Sequence, residues 1–203
     1  MIAEAPGFDP VLPRCSWAGA TGDRPDALMV RYHDEEWGTP CHDDVELFER
    51  LALESFQAGL SWSTILRKRE SFRLAFRGFD PAAVASFGPD DVERLMADAG
   101  IVRNRAKVDA TIGNASLWGS LAREFGSADA YLVSMVTQPP RRLAPEVEVG
   151  GIPATTSESD RLSADLKRRG FRFVGSTIVY AFMQSVGLVD DHVAGCFRYR
   201  GPG

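Results

Sequence analysis

The chain lacks the features of secreted, membrane-spanning and strongly basic proteins. Its three cysteines among 203 residues are too few for the disulfide framework of a secreted domain, which predicts a reducing, cytoplasmic location. Its longest uncharged run, Phe173–Val189, includes serine, threonine and glutamine and is shorter than the roughly 20 apolar residues of a spanning helix, so no membrane partner is expected. The first residues have no signal-peptide pattern, and we expect a disordered lead over residues 1–13.

Positive charge is scarce overall but unevenly distributed. The net charge is −5, yet residues 1–60 carry 12 acidic and 4 basic residues, which leaves +3 for the other 143. A solvated helix face is the commoner explanation of a basic group, but converging groups would form a phosphate-binding surface. Three such groups occur: Arg67, Lys68, Arg69, Arg73 and Arg77; Arg103, Arg105 and Lys107; Lys167, Arg168, Arg169 and Arg172.

Strand-like alternation is also scarce, because only Pro145–Gly151 shows it. Helical periodicity dominates the chain and predicts an all-α fold, with a single domain over residues 14–198 and a loop from Gln138 to Pro153. Capping residues and helix breakers place the helices at Asp43 to about Gln57, Ser61 to about Phe76, a short one from Pro81, Asp90–Ala99, about Asn104 to beyond Trp118, and about 127–136, 158–169 and 174–186.

Residues of about 90–118 have the pattern of a helix-hairpin-helix, a motif that binds a DNA backbone. Gly100 ends the first helix, and Ile101 and Val102 lead into the second. The backbone N–H groups at the start of that second helix would bind a phosphate without reading a base. Arg103, Arg105 and Lys107 would add positive charge on the same side. An ordinary corner between two helices is the alternative.

A carboxylate and several aromatic residues suggest a binding pocket. Glu54 falls at the edge of the apolar stripe of its helix, so partial desolvation would tend to raise its pKa. A surface pair with Arg50 is the alternative at this position. Aromatic faces stack on nucleobases, although aromatic residues more often belong to the core. The candidates are Trp17, Tyr32, Trp37 and Trp62.

Two Cys/His pairs lie at opposite ends of the chain, Cys15 with His33 and His192 with Cys196. Cysteine sulfur and histidine nitrogen are ligands that Zn²⁺ favours, and four protein ligands with no open position describe a structural site. The i, i+4 spacing of the second pair would place both side chains on one face of a helical turn. Spacing alone leaves Cys41 or His42 as a possible replacement for one member.

Eight motifs, in order across residues 14–196, resemble the 3-methyladenine DNA glycosylase I family, bacterial base-excision repair enzymes of the helix-hairpin-helix superfamily. The resemblance implies a helix-hairpin-helix glycosylase fold whose terminal segments are joined by zinc. The motifs are Arg14–Trp17, Tyr32–Gly38, Gln57–Trp62, Asp98–Ile101, Ile112–Asn114, Lys167–Phe171, Phe173–Gly175 and Asp191–Cys196.

The same resemblance implies roles for individual residues. Structural Zn²⁺ would be held by Cys15, His33, His192 and Cys196. Glu54 would lie in a base pocket with Tyr32, Trp62, Trp17 and Trp37, and our own hypothesis is that it is the catalytic residue and acts in its ionised form. Gly59 and Leu60 would lie at the gap left by a flipped nucleotide, and the hairpin residues Gly100, Ile101, Val102, Arg103, Arg105 and Lys107 would bind the backbone. The implied activity is monofunctional excision of 3-methyladenine from double-stranded alkylated DNA by a monomer, with the free base as product.

The chain also departs from the family pattern. The segment between Cys15 and His33 is longer than usual, and Met29 stands where a further tyrosine often lines the pocket. Ser55 and Phe56 replace a small residue and an amide beside the carboxylate, and Ala106 replaces a hairpin glycine. Two alternatives therefore stay open: a glycosylase with altered lesion preference, and a zinc-stabilised DNA-binding module without catalysis.

Overall fold

The structure, a computed structural model, describes residues 12–19 and 26–202. Most of the predicted lead, residues 1–11, lies outside the described residues, whereas Pro13 O accepts a hydrogen bond from Phe197 N at 2.8 Å. The all-α prediction is confirmed. The α-helices in the described part of the chain are α1 (Ala27–Arg31), α2 (Asp44–Gln57), α3 (Trp62–Ala75), α4 (Pro81–Ala85), α5 (Pro89–Ala97), α6 (Arg105–Phe125), α7 (Ala128–Ser134), α8 (Ser157–Arg168) and α9 (Ser176–Ser185).

Side-chain caps begin the helices close to where the sequence predicts. The Asp43 carboxylate accepts hydrogen bonds from Val45 N and Glu46 N at the start of α2. Ser61 caps α3 and Asn104 caps α6 in the same way, because each side-chain oxygen accepts from the third residue of its helix. Short 3₁₀ turns lie at Ser16–Ala18, Arg77–Phe79 and Val149–Gly151, and a π-helical turn, Tyr32–Glu36, continues α1.

Two local expectations need correction. Pro145–Gly151 forms turns and a 3₁₀ turn within the predicted loop, despite its alternating pattern, and the strands are β1 (Arg141–Arg142), also inside the predicted loop, and β2 (Val189–Asp190), which pair in parallel. A two-residue strand is too short to show alternation in a sequence. His192 and Cys196 are not on a helix either, because the chain there makes a turn closed by the bond from Cys196 N to Val193 O at 3.0 Å.

The buried apolar residues form a large core and a small one. The large core surrounds α2, which packs against α3, α6, α7 and α9 and buries every residue from Leu47 to Phe56. The small core joins the two ends of the described chain, since it contains Cys15, Tyr32, Trp37, Leu66 and Cys196. Trp62, the first residue of α3, packs against both cores.

The helix-hairpin-helix is formed by α5, a turn over residues 98–104 and α6. Gly100 is required by close packing, because a Cβ at this position would lie 3.0 Å from the Cβ of Ser71 on α3. None of the helices in the described ranges has the length and apolarity needed to cross a membrane.

The segment after Trp37 is fixed against the end of α9. Gly38 N donates to Gln184 O at 2.8 Å, and Cys41 N donates to Val186 O at 3.1 Å. Gly187 allows this approach, because its φ is +71° and an added Cβ would lie 2.5 Å from Pro40 N. Only glycine fits both the left-handed backbone and the contact.

We expect Gly187→Ala to destabilise the protein more than Gly78→Ala. Both glycines have similar φ values, +71° and +67°, but the space around Gly78 is open. The left-handed strain is therefore shared, and the backbone overlap at residue 187 should cost about 2 kcal/mol more. The free energy of unfolding in urea measures this, and equal losses in the two variants would show that residues 39–40 move aside freely.

Candidate active site

The five residues predicted for the base pocket line one cavity of about 310 Å³. Tyr32 and Trp37 come from the π-helical turn and its end, Glu54 from the last turn of α2, and Trp62 from the start of α3. The remaining wall residues are Trp17, Met29, Gln57, Ile152, Ala181 and Gln184. Met29 therefore takes part in the pocket, so its departure from the family pattern affects the pocket itself.

The aromatic rings form a continuous wall. Trp17 and Trp37 meet edge to face with ring centroids 4.8 Å apart, and Tyr32 and Trp62 are tilted at 5.2 Å. Edge-to-face and tilted pairs satisfy the preference of aromatic quadrupoles while leaving ring faces available to a ligand. The ring of Trp37 also contacts that of His192 at 4.7 Å, so the wall is continuous with the Cys/His residues.

Glu54 is a buried carboxyl group without a hydrogen-bond partner among the described residues. Glu54 is only 4% exposed. Burial raises the pKa of its carboxyl to about 8, although the charge of Arg50 acts in the opposite direction. Burial thus favours the protonated form of the carboxyl, whereas the sequence predicts a group that acts in its ionised form. Arg50 is itself buried and bonds to Ser185 O, so the proposed surface pair is absent.

A second polar group in the cavity is also unsatisfied. Trp62 Nε1 is buried and has no hydrogen-bond acceptor in the described part of the chain. An unsatisfied buried donor costs free energy, and such groups in a cavity are typical of ligand recognition. In contrast, Gln184 Nε2 already donates to Asp191 Oδ2 at 2.8 Å. The cavity therefore presents a donor and a carboxyl between aromatic faces.

Three of the four predicted metal ligands come together. Cys15, His33 and Cys196 are buried, and their ligand atoms lie within 4.8 Å of one another. The hydrogen bond from Cys15 holds the pKa of Cys196 below its usual range, which favours one thiolate in the cluster. The imidazole of His192 lies next to this group, with its ring centroid 5.0 Å from that of His33.

Both histidines have one ring nitrogen held by a carboxylate. His33 Nδ1 lies 2.7 Å from Asp34 Oδ1, and His192 Nδ1 lies 2.7 Å from Asp190 Oδ1. Second partners of this kind orient metal-ligating histidines. His192 Nε2 is buried and has no partner in the described ranges, which fits a missing ligand contact. His42 is elsewhere, bonded to Asp129, and Cys41 is outside the cluster.

The turn between α2 and α3 projects from the surface beside the cavity. Gly59 has φ +87° with no heavy atom near its Cβ position, and Leu60 is 44% exposed. An exposed leucine next to a base-sized cavity is suited to enter the space left by an extruded nucleotide. Both residues thus lie in the turn between two wall residues of the cavity, Gln57 and Trp62, and their position at the gap in DNA stays a prediction.

The hairpin residues divide into exposed and buried groups. Arg103 is exposed and has no partner in the part of the chain described, while Arg105 pairs with Glu93 at 2.8 Å. Ile101 is buried and Val102 is half-buried, so only their backbone could meet a phosphate. Asn104 accepts from Lys107 N, and the N–H groups of the first two residues of α6 remain without an acceptor in the helix.

The interpretation of Lys107 as a phosphate ligand is wrong. Lys107 is only 7% exposed, and its Nζ donates to Phe56 O at 3.0 Å and to Ala58 O at 2.9 Å. The third basic group is largely paired too, since Arg169 bonds to Glu124 and Asp165. Sequence proximity of like charges does not show whether their heads face solvent, because long side chains reach different partners.

Sequence reasoning missed three of the cavity residues: Ile152, Ala181 and Gln184. Ile152 comes from the loop before α8, whose path no periodicity predicts. Ala181 and Gln184 are three residues apart on α9 and so share a face. Gln184 was the available signal, because a partly buried amide next to apolar residues needs hydrogen-bond partners.

The structure thus combines an aromatic cavity that holds a buried carboxyl with an exposed turn and a helix-hairpin-helix. A sequence model of the family described as methyladenine glycosylase matches residues 21–199. The chain belongs to this family.

Two curated relatives and a solved structure show how close the similarity is. The DNA-3-methyladenine glycosylase 1 of Escherichia coli K12 is 47% identical over 188 residues, 93% of this chain and 97% of the relative. The DNA-3-methyladenine glycosylase of Haemophilus influenzae Rd is 41% identical over 184 residues, 90% and 96% of the two chains. A tyrosine-to-phenylalanine variant of 3-methyladenine DNA glycosylase I in complex with 3-methyladenine superimposes with a TM-score of 0.84 at 36% identity, covering 89% of this chain and 96% of that one.

Burial of Glu54 predicts a pH-dependent stability. Because its folded-state pKa is raised from 4.5 to about 8, its contribution is fully present below pH 4.5 and is lost as pH rises through 8. Glu54→Gln removes this loss, so the Tm of the variant relative to wild type should rise by roughly 5 °C or more between pH 5 and pH 9. Thermal unfolding followed by circular dichroism measures both proteins.

Glu70→Gln is the matched control, because the Glu70 side chain is 79% exposed. Its Tm difference from wild type should not change with pH in the same range. A Glu54→Gln difference that is equally constant would contradict the raised pKa.

Proposed function

We propose that this protein excises 3-methyladenine from double-stranded alkylated DNA, the base-release step of base-excision repair. The observation that carries the proposal is that the Glu54 carboxyl and the Trp62 Nε1 donor face one aromatic cavity and that neither has a hydrogen-bond partner among the described residues. Membership of the methyladenine glycosylase family supports the same substrate.

The cavity favours a methylated, positively charged adenine over a normal one. Aromatic faces such as those of Tyr32 and Trp62 attract cations. A cation in the pocket would also offset the burial of Glu54 and favour its ionised form, which accepts strong hydrogen bonds from the amine edge of the base. Normal adenine lacks the charge, so it leaves Glu54 protonated and gains less from the pocket.

Access to the pocket requires the nucleotide to leave the duplex. Flipping costs a few kcal/mol and is cheapest for damaged bases, so this step contributes to selection. Leu60 would enter the vacated space, while Arg103 and the open N–H groups of α6 would bind phosphates. N3-methylation weakens the glycosidic bond, and water would then attack the departing sugar. No lysine lines the described cavity, which supports a monofunctional route.

We further propose that Cys15, His33, His192 and Cys196 hold a structural Zn²⁺. The donor chemistry fits, because two thiols and two imidazoles make a set that zinc favours. Asp34 and Asp190 bond to Nδ1 of the two histidines, which leaves Nε2 of each ring for the metal. The buried, unpartnered His192 Nε2 supports its inclusion. Zinc in this set would supply crosslinking of the two terminal segments and no reaction chemistry.

A monomer in a reducing cytoplasm is the form we propose for the active protein. Its three cysteines are all free, which suits a reducing compartment. A single chain also supplies every part of the arrangement, because the cavity, the exposed turn and the hairpin are all built from its own helices.

Base release tests the activity. Purified protein incubated with methylated duplex DNA should release 3-methyladenine, identified by chromatography. Glu54→Gln should lower kcat/KM for this base roughly 10- to 100-fold, as expected for loss of a hydrogen bond to a charged group. Glu70→Gln should leave the rate unchanged, since that side chain is on the surface.

Two other results of the base-release assay would support the two alternative functions. Release of a different methylated base as the main product would indicate altered lesion preference, and Met29 would be the first residue to examine. Salt-dependent DNA binding without any base release would indicate the non-catalytic module and would reject the proposed activity.

Metal analysis tests the zinc site. Wild-type protein should contain one equivalent of zinc, and a chelator should lower its Tm, because metal binding stabilises only the folded state. His192→Ala should lose the metal, whereas Cys41→Ala should keep it, since Cys41 lies outside the cluster. Stoichiometric zinc in His192→Ala would remove His192 from the proposed set.

A further inference from the structure

Two lysines of the predicted basic groups point inward and bond to backbone carbonyls. Lys107, in the first turn of α6, donates to Phe56 O and Ala58 O at the end of α2. Lys68, on α3, donates to Ala99 O at 2.9 Å and Gly100 O at 3.2 Å in the hairpin. Lys107 of α6 thus bonds to the turn between α2 and α3, and Lys68 of α3 bonds to the turn between α5 and α6.

The acceptors of Lys107 explain why a buried ammonium is tolerated. The last carbonyls of a helix have no intrahelical partner, and a cation near them also interacts favourably with the helix dipole. Phe56 and Ala58 lie between the catalytic candidate Glu54 and the exposed pair Gly59 and Leu60. Lys107 therefore holds the stretch of chain that connects the pocket to the exposed turn.

The contact of Lys68 is reinforced one helical turn later. Ser71 lies on the same face of α3 and packs closely on Gly100, where an added Cβ would lie 3.0 Å from the Cβ of Ser71. The hairpin is consequently fixed to α3 through its backbone, as the α2–α3 turn is fixed to α6. The pair α2–α3 therefore donates to the pair α5–α6 through Lys68, and the pair α5–α6 donates to the pair α2–α3 through Lys107.

We propose that Lys107 and Lys68 are positioning residues that set the spacing between the DNA-binding hairpin and the Gly59–Leu60 turn. The inference rests on the proposed function, in which the hairpin binds the backbone while Leu60 enters the gap. Both turns must engage one duplex at a fixed separation, and a misplacement of about 1 Å can cost 100-fold in rate. Neither lysine contacts DNA or the base in this role.

Lys107→Met tests the proposal, because methionine keeps most of the apolar stem and removes both hydrogen bonds. We expect kcat/KM for 3-methyladenine release from duplex DNA to fall 10- to 100-fold. The Kd for free 3-methyladenine, followed by tryptophan fluorescence, should stay within twofold of wild type, because Lys107 does not line the cavity and the ring and carboxyl groups of the pocket are unchanged. The slope of log Kd for duplex DNA against log salt concentration should also be unchanged.

Arg103→Met provides the contrasting variant. Arg103 is exposed and unpaired in the described chain, so its loss should make the salt slope shallower by about one unit, as for a lost phosphate contact. Lys68→Met, at a half-buried position, should reproduce the Lys107→Met pattern and replaces that variant if Lys107→Met does not fold.

The proposal is overturned by unchanged kcat/KM on duplex DNA, by a loss of free-base affinity that matches the loss of kcat/KM, or by a salt slope shallower by about one in Lys107→Met. These results are distinct from failure of the proposed function, in which wild-type protein itself releases no 3-methyladenine.

Discussion

Burial of the last turn of α2 is the constraint on which the site depends. The helix is covered by α3, α6, α7 and α9, so the Glu54 carboxyl is largely shielded from bulk water, and this burial raises its pKa to about 8. The same burial leaves the final carbonyls of α2 in need of donors, which Lys107 supplies. Desolvation makes the ionised form of this carboxyl unfavourable, and a cationic ligand in the pocket would favour that form again.

The aromatic wall depends on a different set of contacts, at the ends of the described chain. Trp37 packs on His192, and Trp17 packs on Trp37, so the wall is an extension of the small core around Cys15 and Cys196. The segment after Trp37 is further bound to the end of α9 by backbone hydrogen bonds. Pocket shape and the joining of the terminal segments are therefore one structural property, and a zinc ion in the cluster would strengthen both.

Helix positions were largely predictable because caps and apolar periodicity are local. Asp43, Ser61 and Asn104 cap α2, α3 and α6 as the sequence indicated. The short strands were not predictable, since two residues carry no period, and neither was the turn between His192 and Cys196, where the i, i+4 spacing suggested a helix. The π-helical turn that carries Tyr32 and His33 likewise has no local signal that distinguishes it from an α-helix.

The sequence by itself determined the helices, the family motifs and the chemical inventory of the pocket: one carboxyl and four aromatic residues that the structure brings to a single cavity. Only the tertiary structure decided how each charge is used. Arg103 remains exposed at the hairpin, while Lys68 and Lys107, which also belong to basic groups in the sequence, bond to carbonyls of neighbouring turns. The reason is physical: the partner of a long cationic side chain is set by which backbone groups lack donors after the helices pack.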